Sequence, residues 1–149
     1  DPSKLGSDRF SAMLGAINHF PNKPLLVIDI GSAITFDVVD KNGLHHGGLI
    51  MPGMKALRGS FEKFKTSDLS LGSTGLANNT DDAWKQGTYA MMIGAMNYQI
   101  KSFQSNFSDG VVTACGGMVK EIKKELPKSI ELFDNLVLDG LESYSQSMG

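Results

Sequence analysis

The sequence is poor in the residues that mark several common classes of protein. It has a single cysteine, Cys115, so no disulfide can form within the chain. That suits a reducing compartment, and a cytoplasmic location is expected. No apolar run approaches the ~18 residues that a membrane helix needs, and nothing at the start reads as a signal peptide. The three histidines, His19, His45 and His46, lack metal-ligand spacing of the H-E-x-x-H kind. Surface or packing roles are the default for them, with the adjacent His45 and His46 on opposite sides of a strand. Charge of neither sign dominates: 14 lysines and arginines stand against 16 acids, net −2, with no long basic run, so nucleic acid is not expected as the main partner. A starting methionine is also missing. The chain begins at Asp1 and runs straight into Pro2-Ser3-Lys4, which leads us to expect a processed chain or a fragment.

What is present suits one ordinary domain: 149 residues, 41% hydrophobic and 20% charged, enough for a real core. The organising stretch runs from Leu25 to Asp40. An apolar, branched run climbs to Asp29, Gly31 and Ser32 follow at once, and a second β-rich run leads away. Strand, tight turn, strand is the economical reading. Asp29 then sits at a strand end with its carboxylate available to a cation, and Ser32 offers a hydroxyl and an N–H to a phosphate. A plain hairpin with a polar tip is the alternative.

Taken in order, Ser7 can cap a helix over residues 8–19, with Asp8 in its first turn and Phe10, Met13, Leu14 and Ile17 at helical spacing. Lys41-Asn42-Gly43 is a turn signal, and a third strand from Leu44 to Ile50 should pair with the second. A helix over 54–64 follows, then a long Ser/Thr/Gly/Asn-rich loop over 66–80, a length that is often functional. Thr80 or Asp81 caps the longest helix, 81–105. Its stripe from Ala83 and Trp84 through Gly87, Ala90 and Gly94 to Tyr98 suggests close packing against another helix or subunit. A buried strand Val111–Cys115, a helix over 118–125, a short strand Leu136–Leu138 and a terminal helix Leu141–Gln146 complete the reading. Tight turns make the first three strands antiparallel, and helical crossovers make the later ones parallel. This mixed α/β sheet with flanking helices looks like one half of the duplicated fold shared by sugar kinases and actin, a ribonuclease H-like domain.

Four motifs carry possible chemistry. Gly6-Ser7-Asp8-Arg9 places a carboxylate beside a guanidinium at a helix start, a pair able to take a proton from a hydroxyl while gripping an anion; a cap with a surface ion pair is the plainer reading. Asp29-Ile30-Gly31-Ser32-Ala33 is the second. Gly47-Gly48-Leu49-Ile50-Met51-Pro52-Gly53 can bring backbone amides near a ligand or simply turn at strand ends. Cys115-Gly116-Gly117 can expose N–H groups to a phosphate or make a tight strand-to-helix turn. Cys115 itself reads as an inert buried thiol.

In this order, and with Asn79-Thr80 ahead of the long helix, these motifs resemble the type III pantothenate kinase family, often labelled Bvg accessory factor-like. That family carries G-x-D-R, D-x-G-T-A, G-G-x-I-x-P-G, N-T and T-G-G. The resemblance implies ATP-dependent phosphorylation of pantothenate, the first step of coenzyme A synthesis. Asp8 matches the general base. Gly6, Ser7 and Arg9 match the loop that holds pantothenate, and Arg9 can pair with its carboxylate. Asp29 matches the ligand of an activating potassium or ammonium ion. Ser32 matches the ATP contact, with Gly31, Gly116 and Gly117 around the nucleotide and a divalent cation such as magnesium accompanying it. Thr80 matches a pantothenate contact made across a homodimer interface, for which the long helix is the natural element. Ser32 for threonine keeps the hydroxyl; Cys115 for the threonine of T-G-G removes one. The family's first domain, with its D-x-G-N-T phosphate loop, has no counterpart in this sequence, so residues 1–149 resemble the C-terminal, substrate-binding half and are expected to be inactive alone. The same fold is also compatible with a non-catalytic regulator or another small-molecule kinase.

Overall fold

The computed structural model describes residues 4–73 and 75–149. Three apolar runs separated by tight turns fold as a meander: β1 (Leu25–Ile30), β2 (Ala33–Val39) and β3 (His45–Pro52). β1 pairs antiparallel with β2, and β2 with β3. A β-bulge interrupts the second ladder, where Val38 faces Gly47 and Val39 faces His45. Gly47 has φ +110°, a value that excludes most side chains. Two later strands, β4 (Val111–Cys115) and β5 (Glu131–Leu132), add in parallel on the other side of β1. The sheet order is β3-β2-β1-β4-β5.

Both faces of β1 in the middle of the sheet are covered, which is why β1 is apolar except at Asp29 rather than alternating. Leu26, Ile28, Ile30, Ile34 and Phe36 pack on one face against the long helix α3 (Thr80–Asn106). The same core takes in α2 (Met54–Gly59) and α4 (Val119–Ile122). Leu25, Val27, Val39 and Cys115 pack on the other face against α1 (Ser7–His19) and α5 (Leu136–Met148). Each fully buried aliphatic side chain contributes roughly 1.5–3 kcal/mol, so two such cores suffice for a domain of this length.

Several expectations change. The cap of α1 is Gly6, with no side-chain bond, rather than Ser7. The buried face of α1 is made of Ser11, Ala12, Met13, Gly15 and Ala16, with Gly15 where the α5 backbone leaves no room for a Cβ; Phe10 stays exposed. The helix expected over 54–64 stops at Gly59, and a short 3₁₀ turn, Glu62–Phe64, follows it. Asn79 rather than Thr80 or Asp81 caps α3: its side chain accepts from the Asp82 N–H and donates to the Asp82 carboxylate. The helix expected over 118–125 is a single turn, α4, followed by a 3₁₀ turn, Lys123–Glu125. Leu136–Leu138 is no strand. It is the first turn of α5, capped by Asn135, and the last strand is the two-residue β5.

On α3 the stripe from Ala83 to Tyr98 is not the buried one. Thr88, Tyr89, Met92, Ile93, Met96, Ile100 and Phe103 face the core, while Gly87, Ala90, Met91, Gly94 and Tyr98 are exposed. The loop after α2 is held by Arg58, which is fully buried. Arg58 donates to the carbonyls of Asp68, Ser70 and Lys85 and to the Thr88 hydroxyl. Lys85 closes the clasp with an ion pair to Asp68 at 2.6 Å.

Candidate functional site

Asp29 is the penultimate residue of β1 in the middle of the sheet, paired to Thr35 on one side and Cys115 on the other. Its carboxyl is half-buried. Burial pushes its pKa up, and the nearby negative charge of Asp8 raises it further. Asp8 lies exposed in the first turn of α1. Two carboxylates from different elements therefore sense each other at the carboxyl end of β1, where ligands of open α/β sheets bind.

Beside Asp29, the chain leaves β4 through Gly116 and Gly117. Gly116 has φ +108°, and a Cβ there would fall 2.5 Å from the Ile30 carbonyl oxygen and 2.6 Å from Asp29 Oδ1. Only glycine fits. Gly117 has open space on its Cα side. Asp29, Gly116, Gly117, Lys120, Asp134 and Asn135 line one cleft of about 440 Å³. Cys115 sits beneath it, buried, with burial and then the Asp29 charge pushing its thiol up to about 12. It is the inert thiol expected from the sequence.

The turn between β1 and β2 is pinned from behind. The Gly53 N–H donates to the Ser32 carbonyl at 3.1 Å, and a Cβ on Gly53 would meet the Gly31 and Ser32 carbonyls at 2.5 Å. The last glycine of the G-G-x-I-x-P-G motif is thus needed to seat this turn. Gly31 itself avoids positive φ and has room for a Cβ, so the tight-turn argument does not apply to it. The Ser32 side chain is exposed.

Arg9 turns inward. Its Nε donates to Asp37 Oδ2 at 2.9 Å and its Nη2 to Oδ1 at 2.5 Å, a two-handed pair. His45 Nε2 lies 2.8 Å from the same Oδ1, while His46 bonds Asp40 and sets its ring against Phe107. Arg9 and Ser7 line a second groove, about 1080 Å³, between α1 and the β2–β3 turn.

The expected residues fall into three groups. Asp29, Gly116 and Gly117 share the cleft, with Asp8 in electrostatic reach and Gly31 and Ser32 at the adjoining turn. Gly6, Ser7 and Arg9 lead from there toward the second groove. Thr80 starts α3, on the opposite face of the sheet from α1, so one copy of the chain does not bring it to Asp8. Among the described residues no group of three or more His, Cys, Asp or Glu side chains could hold a metal ion. Asp29 supplies the hard oxygen that an alkali or divalent cation prefers, and further ligands would come from carbonyls, water or substrate. Asp37 and Arg58 belong to none of the sequence motifs, yet one anchors Arg9 and the other holds the loop after α2. The available signal for Asp37 was a carboxylate inside a strand apolar on both faces, which must find a partner.

Comparison with known proteins identifies the family and the fold. The sequence profile of the type III pantothenate kinase family matches residues 1–102. The type III pantothenate kinase of Herminiimonas arsenicoxydans is 36% identical over 150 residues, covering 96% of this chain and 58% of that protein. The chain thus spans about three fifths of that relative's length. Among solved structures, a Campylobacter jejuni protein described as a Baf family transcriptional activator superposes with TM-score 0.64 at 22% identity, covering 97% of this chain and 65% of the other. A Sinorhizobium meliloti protein described as a 2-dehydro-3-deoxygalactonokinase gives 0.64 at 13% identity, covering 93% and 58%. The chain shares its fold with these two proteins. The chain belongs to the type III pantothenate kinase family.

Proposed function

We propose that residues 1–149 form the substrate-binding domain of an ATP-dependent pantothenate kinase, which makes 4'-phosphopantothenate in the first step of coenzyme A synthesis. The observation that carries the reading is the meeting of Asp8 and Asp29 at the carboxyl end of β1, beside the glycine cleft. In this reading Asp8 accepts the proton of the primary hydroxyl of pantothenate as that oxygen attacks the γ-phosphorus. The bond to the bridging oxygen breaks and ADP leaves. Asp8 is exposed in the first turn of α1, as a base that must meet a substrate should be.

Asp29 would hold an activating monovalent cation, potassium or ammonium, and a divalent ion would accompany ATP; together they offset charge on the phosphates. Gly31 and Ser32 at the turn, with Gly116 and Gly117 in the cleft, would give the nucleotide backbone and hydroxyl contacts with no Cβ in the way. Gly6, Ser7 and Arg9 would hold pantothenate. Thr80 would reach it from a second copy: the exposed Gly87, Ala90, Met91, Gly94 and Tyr98 on α3 supply a small-residue face for a homodimer. No helix among the described residues is long and apolar enough to cross a membrane, and a cytoplasmic enzyme acting on small soluble substrates is the reading we favour.

The test is phosphorylation of pantothenate by the full-length protein, with and without potassium, beside Asp8→Asn. Loss of a general base should lower the rate about 10²–10⁴-fold. An intact protein that leaves pantothenate unchanged would end the kinase reading.

A further inference from the structure

We propose that Asp37 is a positioning residue for substrate recognition: it grips one edge of the Arg9 guanidinium and presents the remaining edge to a carboxylate-bearing substrate. The inference rests on the kinase reading above and adds to it a residue that never touches the ligand.

Three observations carry it. The contact is two-handed, through Nε and Nη2, and Asp37 is only 2% exposed, so the carboxylate cannot drift. His45 bonds the same Oδ1 from β3 and fixes Asp37 from its other side. Gly48, independently, marks the passage as built: a Cβ there would lie 2.6 Å from Arg9 Nη2 and would collide with Asp37 Oδ1 and the Phe36 carbonyl. The glycine that looked like a strand-end turn leaves room for the ion pair.

The chemistry then follows from donor counting. A guanidinium has five N–H groups. Asp37 takes one on Nε and one on Nη2. Both on Nη1 and the second on Nη2 remain, a fork still able to hold a carboxylate with two parallel bonds. Arg9 lines the groove between α1 and the β2–β3 turn, and its side chain keeps 20% of its surface exposed where that of Asp37 keeps 3%. Lysine, a point donor, cannot serve both partners at once.

The experiment measures kcat and KM of the full-length enzyme for pantothenate, for ATP and for a neutral amide analogue in which the pantothenate carboxylate is replaced. Wild type, Asp37→Asn, Arg9→Lys and the double variant are compared, with folding checked by circular dichroism. The expected result for Asp37→Asn is a kcat/KM for pantothenate lower by about 10²-fold, the usual cost of a small misplacement. KM for ATP should stay put, and the preference for pantothenate over the neutral analogue should collapse. The double variant should be no worse than the worse single one. Equal losses on pantothenate and analogue, or an unchanged preference in a folded Asp37→Asn, would overturn the proposal. Should Asp37→Asn fail to fold, Asp37→Glu decides, because it keeps the charge and shifts the guanidinium: a retained preference for pantothenate over the neutral analogue overturns the proposal and a lost one with KM for ATP unchanged supports it. Failure of wild type on pantothenate is a separate outcome that removes the kinase reading itself.

Discussion

Gly140 of α5 rests on the backbone of α1: a Cβ on Gly140 would lie 3.0 Å from the Gly15 nitrogen and would overlap the Ser11 carbonyl oxygen. A Cβ on Gly15 would in turn collide with the Leu136 carbonyl. The two helices touch backbone to backbone, and α5 thereby sets the height of α1 above the sheet, with Asp8 and Arg9 on its first turn. Gly140→Ala should destabilise the fold by about 1–3 kcal/mol through overpacking. Gly94→Ala, on the face of α3 offered to a second copy, should instead stabilise the single chain by up to ~1 kcal/mol from helix propensity. Urea denaturation of the two variants checks the contrast.

Arg9 and Asp37 should respond unequally to deletion. The Asp37 side chain is 3% exposed and that of Arg9 20%. Arg9→Ala leaves a buried carboxylate with His45 as its remaining partner, and breaking a buried pair in this way costs about 3–5 kcal/mol. Asp37→Ala leaves a guanidinium on a long stem that can reach water, so the loss should be smaller, about 1–3 kcal/mol. Equal costs in equilibrium unfolding would contradict this ordering.

Cys115 should resist alkylation. Its thiol is buried and pushed up to about 12, so almost none is thiolate near neutral pH, and thiolate is the reactive form. Iodoacetamide should label the folded protein very slowly and the denatured protein readily. Rapid labelling without denaturant would mean that the β4 end opens in the native state.

The clasp between Asp68 and Lys85 gives a pH dependence of known sign. Hydrogen bonds from Lys85 and then Ser70 hold the Asp68 carboxyl far below its ordinary value of 3.8. A carboxyl lowered on folding stabilises the native state above its unfolded value, and this contribution fades as the pH falls through the native one. Acidification below about pH 5 should therefore loosen the loop after α2. Asp68→Asn should flatten the stability–pH curve there while leaving neutral-pH activity much less affected than Asp8→Asn. Hydrogen exchange in residues 65–73 reads the loosening directly.

Much of this architecture is legible in the sequence because its signals are local. Asp29-Ile30-Gly31-Ser32 reads as a strand end and a turn from neighbouring residues, and Lys41-Asn42-Gly43 separates β2 from β3 in the same way. The end of the chain misleads because three apolar residues in a row, Leu136 to Leu138, suit either a short strand or a helix start, and only the Asn135 cap decides. β5 is two residues long, too short for any periodicity. Arg58 looks like a surface arginine on a helix until the loop carrying Asp68 and Ser70 closes over it. The Arg9–Asp37 pair joins positions 28 apart, of which Arg9 lies in a motif and Asp37 in none, so no local pattern announces it. Of the candidate site, Asp29, Gly116 and Gly117 follow from strand-end logic. The position of Asp8 beside Asp29 depends on α5 pressing α1 down, which no local pattern encodes.

The sheet order has a further meaning for how the chain folds. β1, β2 and β3 meet their partners across short turns, so their pairing is cheap in loop entropy and early. β4 reaches the other side of β1 only after α3 has crossed the sheet, joining Leu25–Asp29 to Val111–Cys115. Until that closure, β1 is an unpaired edge and the Asp29 cleft does not exist. The Asp29 cleft is therefore assembled by the least local strand pairing of the fold, and variants that weaken the β1–β4 seam should accumulate as a folded meander with an open, association-prone flank.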